Sequence, residues 1–231
     1  MVGRVVEQTR SDVNPCLQVA HMRGKYKLNS EKANYSYGSV QKVFEVEFKR
    51  IKLKERKIED VLILGFGAGS IASTLLNKYK MNCKIIGVEK DNLVIELGRK
   101  YFDTHKFPNT EIICADAYNF LMENQQLFDL IIVDVYIDKH VPEKMETEQF
   151  ITQLKNSVRD KGLVIFNKLI FDEETEKSSK KLYDTFSKVM CRFEYHKVQR
   201  SYTNLMLVYE KNATEPLPSN RPVFNTLHKM F

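Results

Sequence analysis

The sequence of 231 residues predicts an α/β fold with a doubly wound, mainly parallel sheet, preceded by a small N-terminal β-hairpin. From residue 60 onward, short segments rich in Val, Ile and Leu alternate with segments whose apolar residues have helical spacing. Strands with such continuous apolar runs are buried on both faces, as in a parallel sheet that helices cover on each side.

The N-terminal part has a different pattern. Residues 17–21 and 25–28 alternate apolar and polar side chains on either side of Arg23-Gly24, so we predict a β-hairpin there. Apolar residues then recur on one side of residues 39–53, which predicts a helix.

Seven later segments are predicted as strands of the main sheet: 61–64, 84–89, 111–114, 128–134, 162–166, 192–198 and 204–210. Helical segments separate the first six, and Asp91, Asp116 and Asp172 are placed to cap three of these helices. The last two strands follow one another without a helix, which predicts one antiparallel strand at the end of the sheet.

These patterns divide the chain into three parts: an N-terminal β-hairpin extension (1–38), an α/β domain (39–211) and an irregular tail (212–231). The tail carries three prolines and an apolar run at 223–227. An unpaired hairpin edge and an exposed apolar run both favour self-association, so we consider a homodimer.

The charge and the cysteine content limit the classes of partner and metal site that we expect. The net charge is +6, but the basic residues are scattered among acids, which indicates a solvated surface rather than one for nucleic acid. Four cysteines lie far apart with no CxxC pair, so we expect reduced thiols and no metal site. Because there is neither an apolar run of transmembrane length nor an apolar signal core, we expect no membrane association and a cytoplasmic location.

The strongest motif is Gly65-Phe66-Gly67-Ala68-Gly69-Ser70, between a buried strand and a helix. Glycines there allow a tight turn close to a ligand, and the helix N-terminus is expected to offer unpaired N–H groups to an anion or carboxylate. Glu89 ends the next strand, where an acid can accept hydrogen bonds from ribose hydroxyls. A dinucleotide motif would place a third glycine at Ser70, so the pattern favours S-adenosylmethionine over NAD.

Two further acids follow strands at the same predicted edge of the sheet. Asp116-Ala117 comes after the third strand, where a carboxylate can reach the adenine amino group. Asp134 ends the fourth strand and faces the crevice where the strand order reverses. Asp134 and Tyr136 are the candidate catalytic residues, which would orient or deprotonate an acceptor.

Residues 60–166 resemble a class I S-adenosylmethionine-dependent methyltransferase fold, and more narrowly its spermidine-synthase-like branch. The segments that carry the resemblance are 61–69, Gly87-Val88-Glu89-Lys90-Asp91, Cys114-Ala115-Asp116-Ala117 and 128–134. The resemblance implies a Rossmann-like sheet of seven strands with the last one antiparallel. It also implies a cofactor site formed by Gly65, Phe66, Gly67, Ala68, Gly69, Glu89, Lys90, Asp116, Ala117 and Asp134.

The sequence departs from aminopropyltransferases at three places. Their glycine loop usually carries an acid where this chain has Ala68. Their D-S-S-D-P motif is replaced by residues 134–138, in which the second acid, Asp138, is shifted by one position. Their Tyr-His-Glu stretch corresponds to residues 35–41, which contain neither His nor Glu. A diamine needs several carboxylates, so these losses weigh against a polyamine substrate.

Three functions are therefore considered. The main expectation is methyl transfer from S-adenosylmethionine to an unidentified small-molecule acceptor. The alternative is aminopropyl transfer from decarboxylated S-adenosylmethionine, with Asp134 or Asp138 as the base. The third is a non-catalytic nucleoside-binding relative, which would be favoured if Tyr37 or Tyr136 filled the crevice above Asp134.

Overall fold

The computed structural model describes residues 4–30, 34–137, 139–200 and 202–212, which form two β-sheets and six α-helices. An N-terminal antiparallel sheet contains β1 (Arg4–Thr9), β2 (Leu17–Met22), β3 (Lys25–Ser30) and β4 (Asn34–Ser36). The main sheet contains β5 (Asp60–Leu64), β6 (Lys84–Glu89), β7 (Thr110–Cys114), β8 (Phe128–Val133), β9 (Val158–Ile170), β10 (Phe193–Gln199) and β11 (Thr203–Glu210). The helices are α1 (Ser39–Arg50), α2 (Ser70–Ser73), α3 (Asn92–Tyr101), α4 (Ala117–Glu123), α5 (Glu148–Ser157) and α6 (Glu173–Val189).

The predicted hairpin is confirmed, and it is part of a larger sheet than the sequence indicated. β2 pairs with β3 across a two-residue turn in which Arg23 and Gly24 have φ values of 50° and 75°. Positive φ at both positions matches the twist of a tight hairpin. β1 and β4 extend this sheet on its two sides, and the sequence pattern predicted neither of them.

The main sheet has the strand order β10-β11-β9-β8-β5-β6-β7. Strands β5 to β9 are parallel to one another, whereas β11 is antiparallel to both of its neighbours, β9 and β10. The Rossmann-like fold and the antiparallel last strand are thus confirmed. The predicted domain boundaries stay predictions, and most of the predicted tail, residues 213–231, lies outside the described residues.

Both faces of the main sheet are covered, as the apolar strand sequences predicted. On β8, Ile131 and Val133 pack into the cluster that holds α4, α5 and α6. Leu130 and Ile132 of the same strand pack on the opposite face, in the cluster that holds α1 and α2. Side chains of one strand alternate between faces, so each face receives every second residue.

β5 lies between β6 and β8 in the sheet. The chain runs from β5 to β6 and β7 on one side of β5, and then crosses back to β8 on the other side. A crevice opens beside the carboxyl ends of the strands at such a switch point. Gly65 follows β5 there, with φ of 85°, and a Cβ at Gly65 would lie 2.3 Å from the carbonyl oxygen of Asp134. Only glycine permits this approach of the two backbones.

Gly87 of β6 makes room for the ring of Phe66. A Cβ on Gly87 would lie 2.1 Å from Cδ2 of Phe66, whose side chain is buried in the apolar cluster on that face. The ring of Phe66 therefore anchors the glycine loop, residues 65–69, to the neighbouring strand β6. Phe66 also lines the crevice.

We predict that Gly87→Ala lowers the free energy of unfolding by about 1–3 kcal/mol, because the added methyl group overpacks against the Phe66 ring. Denaturant unfolding measures this loss. In a Phe66→Ala background the ring is gone, so the same substitution should cost much less. An equal cost in both backgrounds would show that the two residues are not coupled.

Candidate active site

A cavity of about 1020 Å³, counting its open mouth, occupies the crevice at the carboxyl ends of the parallel strands. Among the predicted residues, those that line the cavity are Gly65, Phe66, Gly67, Glu89, Lys90, Asp116, Ala117, Asp134 and Tyr136. Ala68 is instead fully buried in the cluster that joins α3 to the N-terminal sheet, and a Cβ on Gly69 would meet Thr104 and Phe107.

The backbone N–H groups of the glycine loop, residues 65–69, all donate to other groups of the protein. Two donate to the Val88 carbonyl oxygen at 2.9 Å, one to the Glu89 carboxylate at 2.8 Å, one to the Ser36 hydroxyl at 3.2 Å and one to the Phe66 carbonyl at 3.0 Å. The N–H groups of the loop itself are therefore occupied, and the expectation that the N-terminus of the following helix offers unpaired N–H groups stays a prediction. α2 continues directly into a π-helical turn at Thr74–Lys78, and Ser70 at the start of α2 lines the cavity.

Glu89 ends β6 with its carboxylate beneath the glycine loop. Its Oε2 accepts the Gly67 N–H at 2.8 Å, and its Oε1 accepts the Asp91 N–H at 3.0 Å. Burial raises the pKa of Glu89, and the two N–H donors oppose that rise. Glu89 thus fixes two turns of the cavity wall at once. Its predicted contact with ribose hydroxyls stays a prediction.

Asp116 is engaged by both protein backbone and lysines. Its Oδ1 caps α4 by accepting the N–H groups of Tyr118 (3.1 Å) and Asn119 (3.3 Å). Lys144 bonds the same oxygen at 2.8 Å, and Lys90 lies 3.4 Å from Oδ2. Burial would raise the pKa of Asp116, but these donors outweigh it and lower the pKa. An adenine amino group would therefore share this carboxylate with two cations.

Asp134 follows β8 and faces the cavity. The Nδ2 of Asn167 donates to its Oδ1 at 2.9 Å. Burial raises the pKa of Asp134 to about 6, although the bond from Asn167 opposes the rise. A carboxylate with this pKa is a proton acceptor suited to neutral pH.

Tyr136 is held by the backbone of β9. Its hydroxyl donates to the carbonyl oxygen of Asn167 at 2.7 Å. Burial raises the pKa of Tyr136 well above its ordinary value, and the nearby Asp134 charge adds to the rise. Tyr136 therefore keeps its proton at neutral pH and acts here as a hydrogen-bond donor. Its assignment to catalysis stays a prediction.

The segment that follows Tyr136 closes one side of the cavity. Pro142, Lys144 and Met145 line it, and none of them was among the predicted site residues. Glu146 forms a buried ion pair with Lys168 of β9, which fastens the segment to the sheet. The candidate base Asp138 lies outside the described residues.

Residues far from the motifs complete the wall. Val13 lines the cavity, and its loop is tied to the cap of α3 by hydrogen bonds from Ser11 and Asn14 to Asp91. Asn204 lines the cavity from β11. Residues 11–14 carry no periodic pattern, and the place of Asn204 depends on the sheet order, so neither could be identified from sequence spacing.

Within the described ranges, no cluster of three or more His, Cys, Asp or Glu side chains is arranged to hold a metal ion. None of the helices in those ranges has the length and apolarity needed to cross a bilayer.

Solved structures confirm the fold. Spermidine synthase from Thermotoga maritima superposes with a TM-score of 0.69 and 19% identity, covering 90% of this chain and 73% of that protein. Human methyltransferase-like protein 13 in complex with SAH superposes with a TM-score of 0.63 and 17% identity, covering 84% of this chain and all of that one. At such low identity these similarities concern the fold alone.

Sequence relatives are more specific. The polyamine aminopropyltransferase of Vibrio vulnificus is 27% identical over 159 residues, which cover 66% of this chain and 50% of that protein. The polyamine aminopropyltransferase of a Buchnera aphidicola strain is 29% identical over 180 residues, covering 69% of this chain and 60% of that protein. The chain thus spans roughly half to three fifths of the length of these curated relatives.

The family model of the spermine/spermidine synthase domain matches residues 50–221. Together with the aminopropyltransferase relatives, this match contradicts the main prediction of a methyltransferase, which gave the departures from the family motifs too much weight. The match covers most of the chain, and the protein belongs to the spermine/spermidine synthase domain family.

Proposed function

We propose that this protein transfers an aminopropyl group from decarboxylated S-adenosylmethionine to an amine, with Asp134 as general base. The observation that carries the proposal is the position of Asp134, whose pKa is raised to about 6, in the same cavity as the glycine loop and Glu89. Membership of the spermine/spermidine synthase domain family supports this reaction over other transfers.

The chemistry needs one base and good positioning. The donor supplies a sulfonium centre, whose neutral thioether is the leaving group. The lone pair of the amine nitrogen forms a bond to the CH₂ carbon that is attached to sulfur, while the carbon–sulfur bond breaks. The electron pair of the broken bond stays on sulfur. The nitrogen becomes positive and gives one proton to Asp134, which releases it to solvent. Positioning of the nitrogen in line with the breaking bond supplies much of the acceleration.

The occupied N–H groups of the glycine loop support a donor without a carboxylate. Ala68, at the position where family members usually have an acid, donates its N–H to Ser36. Lys90 and Lys144, the lysines that line the cavity in the described part of the chain, are both paired with Asp116. A donor carboxylate directed at the loop or at these lysines would have to displace one of these bonds, whereas an aminopropyl chain needs none of them.

A non-catalytic nucleoside-binding relative would be favoured if Tyr37 or Tyr136 filled the crevice above Asp134. The contacts of these two residues do not favour it. The ring of Tyr37 stacks on Phe102 with a centroid distance of 4.6 Å, in the contact between the N-terminal sheet and α3. Tyr136 lines the cavity wall, and its hydroxyl is directed to the Asn167 carbonyl. The Tyr37 ring is therefore engaged in a contact outside the crevice, and the Tyr136 hydroxyl is bonded to the backbone of β9. A cytoplasmic location and a homodimer stay predictions.

We predict that decarboxylated S-adenosylmethionine binds at least about 10-fold more tightly than S-adenosylmethionine, because burying an uncompensated carboxylate is costly. Isothermal titration calorimetry measures both affinities, and incubation with putrescine or butylamine tests for methylthioadenosine release. Tighter binding of S-adenosylmethionine together with a methylated amine product would contradict the proposed function.

We predict that Glu89→Gln weakens methylthioadenosine binding by roughly 10- to 100-fold, because hydrogen bonds from hydroxyls to a charged acceptor are lost. Gln is preferred to Ala because its carbonyl oxygen can still accept one of the loop N–H groups. Glu111→Gln, in an exposed position on the adjacent strand β7, is the matched control. Undiminished affinity in Glu89→Gln would remove the ribose contact.

We predict that kcat/KM of the wild type falls as the pH drops through about 6, because protonated Asp134 cannot accept a proton. Asp134→Asn should lower kcat roughly 100-fold or more. The remaining activity should also lack this acidic limb, while methylthioadenosine binding is retained. A pH profile of Asp134→Asn that keeps the limb near 6 would assign it to another group.

A further inference from the structure

A second cavity lies at the other end of β9 and β11 from the candidate active site. It encloses about 1040 Å³, counting its open mouth, and among the described residues it shares none of its lining with the cavity of the active site. On β9, Leu163 lines the second cavity, whereas Asn167 lines the first. The proposed transfer reaction therefore gives the second cavity no role.

Charged side chains form much of this second lining. Four are cations and two are acids, so their net charge is +2; they are Arg50, Lys52, Arg56, Arg192, Glu194 and Glu210. Both acids are already engaged by the protein. Glu210 accepts Arg56 at 2.9 Å, and Oε2 of Glu194 lies 3.3 Å from Nε2 of His196. The acids are thus committed to groups other than Lys52 and Arg192.

Protein contacts account for two of the four cations. Arg50 is in the last turn of α1, where a cation suits the helix dipole, and its charge interacts with that of Glu47. The guanidinium of Arg56 is fixed at two points. Its Nε donates to the Ile51 carbonyl oxygen at 3.1 Å, and its Nη2 donates to Glu210. The Nη1 group of Arg56 has no partner among the described residues.

The other two cations, Lys52 and Arg192, have no such explanation. Both are exposed, and in the part of the chain that the structure describes neither side chain forms an ion pair, hydrogen bond or ring contact. Lys52 also has φ of 52°, a left-handed conformation that asparagine adopts more readily than lysine. Uncompensated cations that share one concave surface attract anions to it.

We propose that the second cavity binds a small organic phosphate monoester, whose phosphate is held by Lys52, Arg56 and Arg192. A phosphate monoester carries about −1.5 to −2 charges at neutral pH, which matches the net charge of the lining. Guanidinium groups bond phosphate oxygens in pairs, and a lysine adds a point charge. This inference is independent of the proposed aminopropyl transfer.

The apolar part of the lining favours an organic phosphate over inorganic phosphate and over nucleic acid. Ile51, Leu163 and Val208 line the cavity and belong to the apolar cluster that holds α1. The carbon skeleton of a small ester can cover them. Nucleic acid presents phosphates at regular intervals, and it is bound by rows of cations rather than by one concave group.

Calorimetric titration with phenyl phosphate, inorganic phosphate and phenol tests the site. Phenyl phosphate should bind with a Kd below about 1 mM. It should bind roughly 10-fold more tightly than inorganic phosphate, because its ring covers apolar surface, and more tightly than phenol, which has no charge for the cations. Phenol that bound as tightly as phenyl phosphate would overturn the phosphate site. Inorganic phosphate that did so would overturn the role of the apolar lining.

Lys52→Asn is the sharpest variant, because it removes the charge and introduces a residue that tolerates the left-handed backbone. It should weaken phenyl phosphate binding roughly 10-fold without lowering the thermal stability, and Arg192→Gln should weaken binding similarly. Lys49→Gln is the matched control, since it removes an exposed charge from the end of α1 outside the cavity lining. It should keep the wild-type affinity.

Two outcomes of these titrations would overturn the proposal. Unchanged affinity in both Lys52→Asn and Arg192→Gln would place phenyl phosphate elsewhere on the protein. Equal losses in all three variants, Lys49→Gln included, would indicate a diffuse basic surface. A short single-stranded oligonucleotide is titrated in parallel, and it should bind more weakly than phenyl phosphate. If it bound more tightly and lost affinity in Lys52→Asn, the cavity would belong to a nucleic-acid surface instead.

Discussion

The candidate site depends on a close approach between two backbones at the carboxyl edge of the sheet. Gly65 lies so near the carbonyl group of Asp134 that any side chain would collide with it. The Asp134 N–H donates to the Leu64 carbonyl oxygen and the Gly65 N–H to that of Val88, each at 2.9 Å, so the ends of β5, β6 and β8 are tied together. The distance between Asp134 and the glycine loop is therefore set by main-chain geometry, which is stiffer than any side-chain arrangement.

Much of the fold could be predicted because the physical signal is local. The strands of the main sheet are continuous apolar runs, and all seven were placed within a few residues except β9, which begins earlier and ends later than predicted. Glu89, Asp116 and Asp134 were predicted as site residues because the carboxyl ends of parallel strands meet at one edge. β1 was not predicted, because an edge strand with exposed Val5 and Val6 lacks an alternating buried face.

The parts of the site that were missed depend on contacts distant in sequence. The sequence gives no sign that Ser36 and Glu89 accept two N–H groups of the glycine loop, because both acceptors are distant in sequence. The error over the reaction has a similar origin, since Ala68 was counted among the departures that weigh against a polyamine substrate. A small neutral residue neither attracts nor repels a donor carboxylate, so its presence does not discriminate between the donors.

The position of β11 has a consequence for how the chain folds during its synthesis on the ribosome. β11 is the last of the described strands in the chain, yet it lies between β9 and β10 and is the only bridge between them in the sheet. Until it has emerged, β9 presents an open edge of unpaired amides and β10 has no neighbour in the sheet. We expect this half of the sheet to stay open until residue 210 has left the ribosome.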